Sequence, residues 1–189
     1  MKARLNSHKD TKRLAILDAA TELLALKPTA TMQEIADAAH IGIATLHRYF
    51  DSRDTMMLEL AFRAIHLVEE ALEGLEVDEV EVEKSLTAIL EALIPLGNKM
   101  YFLWTDASLY GHPEVTAAET KIQAPILGAI IAWQSKGKLR SDMNSEWVIN
   151  VIYSLLFTTW QSVHAGNMAK NDAAQILVKT LLYGFATHK

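Results

Sequence analysis

The chain has 189 residues, half of them hydrophobic, with 18 basic and 23 acidic side chains for a formal charge of −5. That composition excludes intrinsic disorder and supplies a core for one domain or two small ones. The absence of cysteine excludes a disulfide scaffold, a zinc–thiolate or iron–sulfur site and a cysteine nucleophile, and four prolines with eight glycines argue against a loop-rich all-β chain. The net acidity counts against a nucleic-acid partner on its face. The charge is uneven, however: residues 1–53 carry +2 and residues 54–189 carry −7. Eight acids and no base fall between Glu69 and Glu83, a run that reads as a solvated helix end and loop.

Charged residues follow the start, where a signal peptide would place its apolar stretch. The longest apolar runs, Ile122–Trp133 and Val151–Trp160, fall short of the roughly 18 residues that a spanning helix needs. The expectation is a cytoplasmic protein with no membrane partner.

In chain order, residues 7–26 show Leu14, Leu17, Ala20 or Thr21, and Leu24 at helical spacing, opened by a Ser7–Asp10 capping box and stopped by Pro28. Thr31-Met32-Gln33-Glu34 is a second capping box. It opens a short helix, Met32 to Ala39, with Ile35 and Ala38 or Ala39 inward. His40-Ile41-Gly42 breaks that helix, and Ile43 to Phe50 forms the next one. Two short helices joined by about three residues including a glycine are the helix-turn-helix pattern.

Asp51-Ser52-Arg53-Asp54 caps a further helix, to about Glu73, with Met57, Leu60, Ala61, Ala64, Ile65 and Val68 inward. Helices over Val80–Pro95, Asn98–Tyr110 and Pro113–Lys136 follow, the last bent near Pro125. A turn at Gly137–Asp142 leads to Ser145–Ala165 and Asn171–Thr187. No period-2 strand is seen. The fold class is all-α with about nine helices. A three-helix head over 1–53 carries the helix-turn-helix, and a helical body spans 54–189.

The last two helices are apolar on more than one face. Val148, Ile152, Leu155, Thr159 and Val163 form one stripe; Trp147, Tyr153, Phe157, Trp160 and His164 form another. A helix apolar around most of its circumference is buried on most sides. This predicts a two-fold homodimer through Ser145–Ala165 and Asn171–Thr187.

A helix in the major groove of DNA turns apolar residues inward and small or hydrogen-bonding ones outward. Over Gly42–Phe50, Leu46 and Phe50 are four apart and point to the core, while Ile43, Ala44, Thr45, His47, Arg48 and Tyr49 surround the other face. Thr45 can reach base edges or phosphate. Arg48 has two readings, a guanine or phosphate contact or an ion pair within the head. Arg53 opposes the dipole of the helix it begins, so a phosphate partner explains it better than helix stability. Thr31 is a further phosphate candidate, and Lys9, Lys12 and Arg13 add charge from the first helix.

The window from Lys12-Arg13-Leu14-Ala15-Ile16-Leu17-Asp18-Ala19-Ala20 through Thr31–Ala39 to Thr45-Leu46-His47-Arg48-Tyr49-Phe50-Asp51-Ser52-Arg53 resembles the N-terminal domain of the tetracycline-repressor (TetR) family of bacterial regulators. The resemblance implies that His47 and Tyr49 present their rings to phosphates. Two positions depart from the family pattern. His40 stands where glycine is common, and Gly42-Ile43 stands where a Ser-Lys pair is common, which leaves Ile43 for a thymine methyl.

The resemblance further implies that the body senses a ligand in a pocket between helices. Candidates to line it are Met100, Phe102, Leu103, Trp104, Tyr110, Trp133, Tyr153, Phe157, Trp160 and His164, with Asp106 and His164 as polar groups. The competing reading of each aromatic is core. The effector would be small and apolar or aromatic. No enzyme motif is present, and no cofactor or metal is expected: His66 with Glu69 and Glu70 reads as a surface pair. The expected function is a homodimeric, ligand-responsive DNA-binding repressor on a palindromic double-stranded operator. The alternative is a small-molecule-binding protein of the same fold that has lost effective DNA contact.

Overall fold

The computed structural model describes residues 2–100, 102–103 and 106–185, with residues 2–8 and 98 described by backbone alone. Its regular elements are helical and it has no strand among the described residues. Eight helices of five or more residues are present: α1 (Lys2–Leu26), α2 (Met32–Ala38), α3 (Ile43–His47), α4 (Arg53–Leu72), α5 (Val82–Leu93), α6 (Pro113–Ser135), α7 (Ser145–His164) and α8 (Lys170–Tyr183). Among the described residues of the helix expected over 98–110, no continuous helix is present, residues 101 and 104–105 lying outside them. A four-residue α turn, Gly97–Met100, and a 3₁₀ turn, Ala107–Leu109, occupy that stretch. Asp106 is extended there and its side chain accepts from the Ser108 amide, a local bond that competes with helix.

The chain divides into two units, residues up to Ala64 with Lys99–Val115, and Ile65–Asn98 with Thr116 onward. The first unit is built on α1. Its buried stripe is Ile16, Leu17, Ala20 and Leu24, and Leu14, expected inward, is 52% exposed. The stripe is continued toward the N-terminus by Arg13, three and four residues before Ile16 and Leu17, so Leu14 is turned off it. From α2 it is Ile35 and Ala36, not Ala38 or Ala39, that are buried. Leu46 and Phe50 are fully buried as the spacing predicts, and Met56, Met57, Leu60 and Phe102 complete this core.

The second unit holds the rest of α4, then α5, α6 from Thr116, α7 and α8. The Asp78 side chain accepts from the amides of Val80 (2.7 Å) and Glu81 (3.1 Å), which fixes the turn before α5 and delays its start to Val82. Leu86, Ile89, Leu90 and Leu93 line the inner face of α5. α8 packs against α5 and α7. It ends at Tyr183, short of the expected Thr187, because Gly184 takes a positive φ of 66°. The core face of α7 is Ile149, Ile152, Leu156, Thr159 and Trp160. Val148, Leu155 and Val163, expected on that face, are half-buried. Trp133 is fully buried and its indole N–H donates to the Asp78 carbonyl at 2.8 Å. No helix of the described residues is long and apolar enough to cross a membrane.

Candidate nucleic-acid interface

The turn between α2 and α3 is set by backbone geometry. His40 has a positive φ of 53°, the left-handed conformation of a residue just past a helix end. The His40 amide bonds the Asp37 carbonyl and the Ile41 amide bonds the Ala36 carbonyl, both at 3.0 Å. These two bonds make a Schellman motif, which stops α2 and reverses the chain. Thr31 caps the other end. Its hydroxyl accepts from the Glu34 amide at 3.3 Å, and the Glu34 carboxylate accepts from the Thr31 amide at 2.9 Å. The Lys27 ammonium and those Thr31 bonds hold the Glu34 carboxyl at about 2, well below its ordinary value.

α3 is shorter than expected, but the amides of Arg48, Tyr49 and Phe50 still bond back to Thr45 and Leu46. The face therefore persists to Phe50. Leu46 and Phe50 anchor it from inside. Ala44, His47 and Arg48 are exposed, and Thr45 is half-buried between them. Arg48 and His47 make no ion pair or side-chain hydrogen bond among the described residues, so of the two readings of Arg48 the ion pair within the head is absent there. Ile43 and Tyr49 are half-buried and pack on the core, which limits what each can present outward.

Two basic residues expected to face DNA are bound inside the unit. The Arg13 guanidinium grips Glu59 with Nε 2.8 Å from Oε1, donates through Nη1 to the Tyr49 carbonyl at 2.8 Å, and lies 4.5 Å over the Phe50 ring centre. It staples α1, α4 and the end of the α3 turn together. Arg53 donates to the Asp106 carboxylate and, at 2.9 Å, to the Pro28 carbonyl. The expectation of a phosphate partner rested on Arg53 opposing the dipole of α4; two internal acceptors hold its guanidinium here. The Thr31 hydroxyl is likewise held in its capping box, where it also faces Glu34 Oε2 at 3.2 Å. Sequence reasoning missed Glu59 and Asp106, the partners of these arginines, because they lie 46 and 53 residues away and no local spacing signals them. Lys9 and Lys12 make no ion pair among the described residues.

The ligand-lining candidates are divided between the two units. Phe102 is buried in the core of the first unit, Tyr110 is 76% exposed there, Met100 and Leu103 are half-buried, and Trp104 lies outside the described residues. In the second unit Trp133 is a hydrogen-bonded core residue, Trp160 is 4% exposed, and His164 is exposed. Tyr153, Phe157 and Trp160 do share one face of α7, at i, i+4 and i+7. The Tyr153 hydroxyl and the Trp160 indole nitrogen are both buried without a hydrogen-bond partner among the described residues. Burial, then the nearby Glu119 carboxylate, pushes the Tyr153 hydroxyl up to about 12.

Residues 16–60 match the model of bacterial regulatory proteins of the tetR family. The transcriptional repressor LfrR of Mycolicibacterium smegmatis is 26% identical over 179 residues, covering 95% of this chain and 93% of LfrR. The transcriptional regulator NfxB of Pseudomonas aeruginosa is 22% identical over 161 residues, covering 84% and 86%. The crystal structure of LfrR from Mycobacterium smegmatis in complex with proflavine superposes with a TM-score of 0.76, covering 94% of this chain and 99% of that one. Helix-turn-helix geometry, the match over residues 16–60 and relatives that span most of the chain agree: the chain is similar to the tetR family of bacterial regulatory proteins.

Proposed function

We propose that the protein is a homodimeric DNA-binding transcriptional regulator, a repressor that releases a palindromic operator when an apolar or aromatic effector binds its body. The observation that carries this reading is the outer face of α3. Ala44, His47 and Arg48 are exposed there, and Arg48 has no ion-pair partner among the described residues while Arg13, Arg53 and Arg63 are all paired. Arg48 is the base or phosphate reader. Ala44 and Ile43 offer apolar contact to thymine methyls, and Thr45, His47 and the edge of Tyr49 reach phosphates or base edges. Thr31 and Arg53 are assigned to holding the head in shape.

A two-fold dimer through α7 and α8 is supported by apolar side chains the single chain leaves uncovered. Trp147 is 59% exposed on α7, and Ile176 and Tyr183 are about half exposed on α8. Two such subunits would set α3 of each in successive major grooves of a palindrome. Repression follows the relatives: LfrR is named a repressor, and it has been crystallised with proflavine, a planar aromatic molecule. In this chain the Tyr153–Phe157 face of α7, with its unpartnered hydroxyl, is the effector candidate. An effector acts only if it binds the released conformation more tightly than the DNA-bound one.

The test is selection from random duplex DNA with the purified protein, followed by anisotropy titration of the selected site. Nanomolar, salt-sensitive binding to a palindrome supports the reading. No binding to any duplex at low salt sinks it and leaves a ligand-binding protein of the same fold.

A further inference from the structure

We propose, resting on the DNA-binding reading, that Ala44 reads the C5 methyl group of a pyrimidine. On that assignment 5-methylcytosine stands in for thymine in the operator and unmethylated cytosine does not, so operator affinity responds to cytosine-C5 methylation.

A recognition helix brings its N-terminal residues to the base edges. In α3 these are Gly42, Ile43 and Ala44, and none has a side chain that donates or accepts a hydrogen bond. Gly42 is exposed and caps α3 without a side-chain bond. A Cβ built on it would meet nothing within 4 Å, so the approach to this turn is open. The turn itself is well formed: the amides of Thr45 (2.8 Å) and Leu46 (3.1 Å) both bond the Gly42 carbonyl. Ile43 is half-buried and packs on the core, which leaves Ala44 as the exposed methyl of the turn. That exposure separates it from Ala30 and Ala36 of the same unit, which are fully buried core.

The rest of the face narrows what can be read. Asn and Gln are the side chains that pair with adenine, and Asp and Glu those that accept from cytosine. Residues 42–50 contain none of the four. Arg48 is a guanine reader four residues after Ala44, on the same strip of α3. Thymine is marked in the major groove by its methyl group, which an alanine side chain recognises by apolar contact. Covering one methyl is worth about fourfold in affinity, and two symmetric half-sites about fifteenfold. Exchanging thymine for 5-methylcytosine keeps that methyl and changes only the polar edge, where Ala44 has no group to leave unpaired. Deoxyuridine and cytosine both lose the methyl.

The experiment is an anisotropy titration of the full chain, at fixed salt, against the palindrome selected from random duplex DNA. Each thymine is replaced in turn, together with its symmetry mate, by deoxyuridine. At least one such pair is expected to lose about fivefold or more. At that position 5-methylcytosine·guanine is expected to bind within about twofold of thymine·adenine, and cytosine·guanine about fivefold or more weakly. Ala44→Gly is expected to bring the thymine-to-deoxyuridine affinity ratio close to one, whatever happens to overall affinity. Arg48→Ala is expected to weaken binding to every duplex and keep the ratio. Three results overturn the proposal: a selected site whose thymines all tolerate deoxyuridine, 5-methylcytosine that behaves as cytosine, or methyl dependence that survives Ala44→Gly. Each of these leaves the DNA-binding reading standing, whereas no binding to any duplex sinks both.

Discussion

Arg53 joins two stretches of chain that are far apart in sequence. Its guanidinium donates both to Asp106, whose side chain is only 9% exposed, and to the Pro28 carbonyl that ends the α1–α2 connection. Residues 99–115 are thereby fastened into the same unit as the helix-turn-helix. A residue that the sequence aims at DNA thus also bonds two acceptors within the head.

Asp106→Asn should lower the stability of the head at neutral pH. Breaking a buried pair costs about 3–5 kcal/mol and an exposed pair about 0–1. Arg53 is 30% exposed, so screening reduces the figure to about 1–2 kcal/mol, read from urea unfolding. The pH dependence follows from the carboxyl's environment. Burial alone would raise its pKa, but hydrogen bonds from Ser108 and Arg53 outweigh burial and hold it below the ordinary aspartate value. A carboxyl depressed in the folded state stabilises above its unfolded pKa of about 3.9, and that contribution fades as pH falls through the folded value. The gap between wild type and Asp106→Asn should therefore be full at pH 6–7 and close in acid below about pH 3.9.

Arg48 and Arg53 should separate cleanly in DNA binding. Arg48 is exposed and has no partner among the described residues, so Arg48→Ala should leave unfolding within about 0.5 kcal/mol of wild type. It should weaken operator binding by about 1–3 kcal/mol. If Arg48 meets a phosphate, the slope of log affinity against log salt drops by roughly one; if it meets a guanine, discrimination at one position is lost. Arg53→Ala should do the reverse, costing stability and leaving the salt slope unchanged. A lowered slope for Arg53→Ala would return that residue to the phosphate set.

His40 adopts the left-handed backbone conformation that glycine takes without steric cost, and its side chain is exposed. A non-glycine residue there carries roughly 1–2 kcal/mol of strain, part of which glycine gives back through its freer unfolded chain. His40→Gly should raise stability by about 0.5–1 kcal/mol, seen as a higher urea midpoint with unchanged slope. DNA affinity should be unaltered, because the Schellman bonds that aim α3 involve backbone only.

The elements legible in the sequence were those whose signals are local. Thr31 and Glu34 announced the start of α2, and Leu46 and Phe50 gave the inner face of α3, because caps and helical faces are set by residues three or four apart. Gly184 ended α8 early, through a positive φ that is equally a local matter. What stayed hidden is long-range. Arg13 and Arg53 looked like free cations until Glu59 and Asp106 came to them from distant segments. Helical spacing likewise cannot tell a core-facing Trp133 from an aromatic that faces a ligand.

Gly97 and Trp160 give the sharpest packing test in the second unit. A Cβ placed on Gly97 would lie 2.3 Å from Trp160 Cδ1 and 2.6 Å from its Cγ. Neither atom is the loose end of a flexible chain, because Trp160 is 4% exposed and its indole is held by the α7 core. The backbone at Gly97 is ordinary right-handed helix, with φ of −52°, so conformational freedom is not what requires glycine; close approach is. Gly97→Ala should force the indole or the turn to move and cost about 1–3 kcal/mol, the usual range for overpacking. Pairing it with Trp160→Ala removes Cγ and Cδ1, the atoms that meet the new methyl, together with a buried N–H that has no partner among the described residues. The double variant should therefore be more stable than the sum of the two single changes by roughly 0.5–3 kcal/mol. Simple additivity in the double-mutant cycle would show that the turn, not the indole, gives way.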